Sequence, residues 1–266
     1  MNENQKDSKN LLDIMGCPYD PAIFTGDPES DNRANTELYL RLVREGDARG
    51  FCPVLLDRDF RTFDYAQRYG FTGSREDYPR VTKRLIELVK DNCFSVWLGR
   101  LIYNYFLDCE DYEDMMGYDL SLLDPPDTVK YLKMYDTPAE VKPFILGEPK
   151  RFWTAPFPYQ KQVFALVPVK RPWEVLAWIP IGSFNWCPDE LHQIALAKGL
   201  YEQFGARIIR ISSVSLDYYI PEPLTEKEDV ERAAKILVAA DSDVYQEIEA
   251  AVDLIRGSHV WGLWWD

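Results

Sequence analysis

The last seven residues, Val260-Trp-Gly-Leu-Trp-Trp-Asp266, constrain the fold more than any other segment. Side chains alternate along a strand, so Trp261, Leu263 and Trp265 take one face and Trp264 the other. Large apolar groups on both faces call for a strand paired within a sheet, because an exposed tail could not keep them from water. Upstream, Val163–Val169 and Glu174–Ile181 are rich in β-branched and aromatic residues and read as two strands joined by a short turn. A helix opens at Pro188, with Asp189 and Glu190 at its favourable dipole end and Gly205 just past its close. Ala206–Ser212 and Leu216–Ile220 read as strands, the first reached through that helix as a right-handed β-α-β crossover. Thr225-Glu-Lys-Glu228 reads as a capping box opening the next helix, and Val244–Arg256 as a last helix stopped by Gly257. The expectation for residues 163–266 is an α/β (α+β) domain, β-β-α-β-β-α-α-β, with a mixed sheet.

The region before it is patterned differently. Residues 1–10 are polar and read as a disordered tail. Residues 11–118 read as helix-rich, with a helix over Thr36–Glu45, a strand near 51–56, and two helical patterns between Asp77 and Leu107 that break near Asp91-Asn92. Residues 119–160 hold seven prolines and read as a connecting region with local helix near Val129–Met134.

Composition narrows the function class. The 266 residues carry a formal net charge of −14, which argues against nucleic acid as a partner and leaves a basic protein partner open. A hydrophobic fraction of 46% provides enough apolar surface to form a core. The longest charge-free stretch, Val175–Pro188, falls short of the roughly 20 apolar residues that span a bilayer, so no membrane association is expected. No secretory signal is visible after Met1, so the expected compartment is the cytoplasm. Cys17, Cys52, Cys93, Cys109 and Cys187 are widely spaced, with only His192 and His259 to join them, so neither a disulfide framework nor a metal site is expected. The acidic run Asp108–Asp114 lacks the turn Gly and spaced Glu of a calcium loop and reads as a solvated segment. Phosphate-loop, dinucleotide, hydrolase-elbow and zincin motifs are absent, and no cofactor is expected.

No catalytic set is assigned. Cys187 precedes a helix start, where the dipole favours a thiolate, yet a nucleophile needs a base within reach. His192 projects from another face of the same helix, and His259 could approach only through folding. A buried thiol is therefore the expectation, with Cys187, Asp189 and His259 as the candidates if the protein is an enzyme. Six of the eight tryptophans lie beyond residue 170. Core packing is expected for most of them; Trp173, Trp178, Asn185, Trp186, Trp264 and Asp266 are the candidate binding residues. The double negative at Asp266 could pair with Arg207 or Arg210.

Three ordered motifs carry a resemblance: Pro172-Trp-Glu-Val-Leu-Ala-Trp-Ile-Pro-Ile-Gly182, Asn185-Trp-Cys-Pro-Asp189, and Trp261-Gly-Leu-Trp-Trp-Asp266. Together they resemble the bacterial family called domain of unknown function 4253 over residues 163–266, with Gly50-Phe-Cys-Pro-Val54 similar to a weaker upstream element. The chain departs from the family pattern at Asp241-Ser-Asp243, where many members carry a second Cys-Pro-Asp. The resemblance implies a fold and no activity. The functional expectation is an acidic binding protein of immunity or adaptor type that recognises a basic protein, with a small enzyme working near Asn185, Cys187 and Asp189 as the alternative.

Overall fold

The structure, a computed structural model, describes residues 16–57, 77–106, 162–182, 187–241 and 243–265. The tail 1–10, the acidic run Asp108–Asp114 and the Pro-rich region 119–160 lie outside the described residues, as do Asn185, Trp186 and Asp266. Among the described residues the order is β1 (Tyr19–Pro21), α1 (Pro28–Arg49), β2 (Cys52–Asp57), α2 (Asp77–Lys90), α3 (Phe94–Phe106) and β3 (Gln162–Val167). A 3-10 turn (Pro172–Glu174) runs into α4 (Val175–Trp178), followed by α5 (Glu190–Phe204), β4 (Arg207–Ile211), β5 (Ser215–Tyr219), α6 (Lys227–Ala240), α7 (Ile248–Ile255) and β6 (Val260–Trp264).

The six strands form one mixed sheet in the order β1-β3-β2-β4-β5-β6, an α/β fold. Strand β2 lies between β3 and β4, so residues from both sides of position 163 build the same sheet. Strand alternation divides the core. Val54, Leu56, Val163, Ala165, Ile208, Leu216, Tyr218, Trp261 and Leu263 meet α2, α3, α5, α6 and α7 on one face. Leu55, Phe164, Ile209 and Tyr219 meet Leu38, Tyr39, Leu42 and Val43 of α1 on the other.

Several expectations need correction. Glu174–Ile181 is not a strand: Pro172 starts a 3-10 turn, the Glu174 carboxylate pairs with the Arg171 guanidinium and accepts its backbone N–H, and a short helix follows. Trp173 to Ala177 are all buried, so no polar face marks their period. With that strand gone the crossover ending in Ala206–Ser212 changes too: β4 is antiparallel to β5, and its parallel neighbour is β2. Helix α1 begins at Pro28 rather than Thr36, because Asp31 and Asn35 take its inward positions and interrupt the apolar stripe. The capping box at Thr225 is not formed; α6 starts after Glu226 without a side-chain cap. Helix α5 starts after Asp189, with Pro188 one residue outside, and ends at Gly205 in the left-handed conformation (φ 69°) that glycine adopts at no steric cost.

Strand β6 stands at the sheet edge, paired only with β5. Its outward N–H groups are nonetheless taken by side chains: Val260 donates to Ser258 Oγ, Gly262 to the Tyr245 hydroxyl, and Trp264 to Asp241 Oδ2 at 2.6 Å. An edge covered in this way offers little to a foreign strand. Trp261 and Trp265 are fully buried beneath it, each on the order of 2–3 kcal/mol of apolar burial.

Candidate functional site

The first turn of α5 gathers the polar residues that the sequence singles out. Asp189 is its N-cap: Oδ1 accepts the His192 backbone N–H at 2.9 Å and lies 2.8 Å from His192 Nδ1. Burial opposes ionisation of Asp189, but the His192 ring and N–H prevail and hold its carboxyl below the ordinary range. The His192 ring meets Trp97 edge-on at 5.1 Å, and its Nε2 is buried with no hydrogen bond in the protein. Gly182 packs its backbone against the start of α5. At φ 152°, a Cβ there would come within 2.5 Å of the Pro188 carbonyl oxygen and 2.8 Å of Glu190 N.

Cys187 does not use the dipole to become a thiolate. It is buried, and the Gln193 Nε2 amide donates to its sulfur at 3.3 Å. Burial, reinforced by the negative charges of Asp241, Glu190 and Asp189, pushes its thiol far above the ordinary value. His192 bonds to Asp189 rather than to this sulfur, consistent with its place on another face of the helix. His259 stacks on Tyr219 with ring centroids 5.6 Å apart, and its Nδ1 lies 2.9 Å from the Ile220 carbonyl oxygen. What Cys187 has instead of a base is a set of buried polar neighbours: Gln193 and Tyr218, which nothing in the sequence marks, and Asp241, which the sequence marks only as a departure from the family pattern. Gln193 Oε1 and the Tyr218 hydroxyl make no hydrogen bond in the protein.

The candidate binding tryptophans separate. Trp173 is 1% exposed, with the Arg171 guanidinium 4.6 Å above its ring, so it is a core residue. Trp178 packs partly buried against the main core, while Trp264 remains 43% exposed. Arg207 pairs with Asp47 at 3.5 Å and Arg210 with Asp217 at 3.6 Å.

A second polar feature lies at the head of α1. A hollow of about 310 Å³ is lined by Asp27, Glu29, Ser30, Arg33, Ala34 and Glu37. Asp27 caps the helix by accepting the Ser30 N–H at 3.2 Å, and Ser30 keeps its carboxyl below the ordinary range. The acids lining this hollow outnumber its one base, Arg33. Helical spacing of Ser30, Arg33, Ala34 and Glu37 was the available signal.

Among the described residues no helix is long and apolar enough to cross a membrane, and no group of three or more His, Cys, Asp or Glu is arranged to hold a metal ion. No curated protein and no solved structure matches the chain. Residues 163–266 do match, to the family described as Domain of unknown function (DUF4253).

Proposed function

We propose that the protein is a binding protein whose partner is a basic protein, in the manner of an immunity or adaptor protein. The observation that carries this reading is the acidic hollow at the head of α1, on a chain of net charge −14. Asp27, Glu29 and Glu37 face solvent there, so a Lys or Arg head group can reach them without any acid having to move from the core. Long-range attraction of this kind speeds encounter and is screened over a Debye length of roughly 10 Å at 0.1 M salt. A pull-down from the source cell at low and at high salt tests the reading: the retained proteins are expected to be basic and to be lost as salt rises. Retention that is insensitive to salt, or partners that are acidic, would overturn it.

The rival reading is a small enzyme near Asn185, Cys187 and Asp189. One observation favours it: Asp189 fixes the His192 ring through Nδ1, which leaves Nε2 as the atom able to accept a proton. The protonated, buried Cys187 weighs against a thiol mechanism. Turnover of a small molecule by the purified protein, abolished by Asp189→Asn, would replace the binding reading with this one.

A further inference from the structure

The loop between β1 and α1 displays two large apolar side chains to solvent, Ile23 at 39% and Phe24 at 42% exposure. Among the described residues Leu88, Leu254 and Trp264 are also exposed, but each stands alone in the sequence; Ile23 and Phe24 are adjacent. Single surface hydrophobics need no explanation, whereas an apolar pair kept in water by its own backbone does. That backbone is tightly held. Asn35, fully buried in α1, accepts the Ile23 N–H at 2.8 Å and donates to the Ile23 carbonyl at 2.7 Å. Asp31, 1% exposed, accepts the Thr25 N–H at 2.7 Å, the Thr25 hydroxyl at 2.6 Å and the Gly26 N–H at 3.1 Å. The loop then ends on Asp27, which lines the acidic hollow.

We propose that Ile23 and Phe24, fixed in place by Asp31 and Asn35, form the apolar half of a docking surface whose acidic half is the hollow of Asp27, Glu29 and Glu37. Its occupant is a segment of a basic protein that carries apolar side chains beside Lys or Arg. The proposal rests on the binding reading above and adds the place and the chemistry of contact. Charge selects the occupant. A second copy of this chain would bring its own excess of acids against the hollow, and an anionic lipid surface would be repelled as well. A segment that is only basic would gain nothing from Ile23 and Phe24. Because the loop is already ordered, docking loses little backbone freedom, which leaves more of the apolar burial as affinity.

The test uses the full chain and a fluorescent synthetic peptide of Leu and Lys in amphipathic helical order, with a Leu and Glu peptide of the same order as its counterpart, read by anisotropy. The Lys peptide is expected to bind and the Glu peptide not to. Ile23→Ser with Phe24→Ser is expected to weaken binding by about tenfold or more, as the loss of apolar anchors does. Glu29→Lys with Glu37→Lys is expected to remove most of its salt dependence, and Leu254→Ser, an exposed site elsewhere, to leave it unchanged. All three variants alter exposed residues, and unchanged melting temperatures confirm that they fold. If the Ser variant binds like wild type while salt still weakens binding, the docking surface is wrong and the binding reading survives. If neither the wild type nor any variant binds the Lys peptide, both fail.

Discussion

Two buried aspartates make similar hydrogen bonds and meet opposite electrostatic outcomes. Asp31 and Asp241 are each about 1% exposed, and each carboxylate accepts three donors: two backbone N–H groups and the Thr25 hydroxyl at Asp31, and the N–H groups of Asp243, Val244 and Trp264 at Asp241. Yet Asp31 is held below the ordinary carboxylate range, foremost by the Thr25 hydroxyl, whereas burial pushes Asp241 up to about 6 against the pull of its donors. Desolvation explains the difference. At Asp241 it outweighs all three donors, and Asp243 adds a like charge; at Asp31, beside the exposed β1–α1 loop, the Thr25 hydroxyl outweighs it. The helix ends act in the same sense, since Asp31 lies in the first turn of α1 and Asp241 caps the C-terminal end of α6. The number of hydrogen bonds does not by itself decide whether a buried carboxylate is comfortable.

Ending the chain at Leu263 is the severest challenge to this comparison. It removes the buried Trp265, whose Nε1 donates to the Ala240 carbonyl at 3.2 Å, together with the Trp264 N–H that Asp241 accepts. Urea unfolding is expected to show a loss of about 3–5 kcal/mol. An unchanged midpoint would mean that the Asp241 corner is held by its own turn alone.

Replacing Asp241 by Ala orphans three N–H groups at once and is expected to cost about 2–3 kcal/mol; Asp31→Ala, whose partners lie nearer water, is expected to cost less. Hydrogen exchange separates the two locally, since only Asp31→Ala should accelerate the Thr25 and Gly26 amides. Equal protection of those amides in both variants would dissolve the distinction.

The pH dependence then differs in sign. Asp241 has a folded value of about 6, above the ordinary 3.8, so the folded state holds its proton more tightly. The stability it contributes is fully present below 3.8 and is lost as pH rises through 6. Asp31 behaves in the reverse sense: its contribution is present above 3.8 and is lost only as pH falls through its lowered value. Between pH 7 and pH 5 the stability of wild type relative to Asp241→Asn should therefore rise by about 1 kcal/mol, while that relative to Asp31→Asn stays flat. Thermal melts of the three proteins at both pH values check this; a flat Asp241 difference would show that its carboxyl is not raised.

The smallest effect concerns Cys187, whose thiol is raised first by burial and then by the charge of Asp241. Maleimide labelling of Cys187 at neutral pH is expected to be slow in wild type and only a few-fold faster in Asp241→Asn, because burial dominates. Fast labelling of the wild type would show Cys187 to be open, and would favour the enzyme reading.

What could be read from the sequence was local. The helix Glu190–Phe204 shows in the acids at its start, its stripe and its terminal glycine, though its opening reads one or two residues early, at Pro188; the strands at Cys52–Asp57 and Arg207–Ile211 show in short apolar runs between turn residues. Cys187 could be placed at a helix start, and its burial expected from residue type, for the same reason. Three-dimensional facts had no such trace. Trp173 to Ala177 are buried on every side, Glu174 included, so strand and helix are indistinguishable there until neighbours are known. Asp31 and Asn35 look like ordinary surface residues of a polar helix, and only the return of the β1–α1 loop over them makes them its anchors.

The sequence by itself determined the element types wherever periodicity and turn residues act within a few positions, the burial of Trp261 and Trp265, and the net charge of −14. Tertiary structure alone decided that β2 enters between β3 and β4, that Cys187 is a neutral thiol beside Gln193 rather than a nucleophile beside a histidine, and that Asp241 is raised while Asp31 is lowered. The reason is common to all three: strand order, burial and the field at a buried group are sums over residues far apart in the chain. No short stretch of sequence contains them.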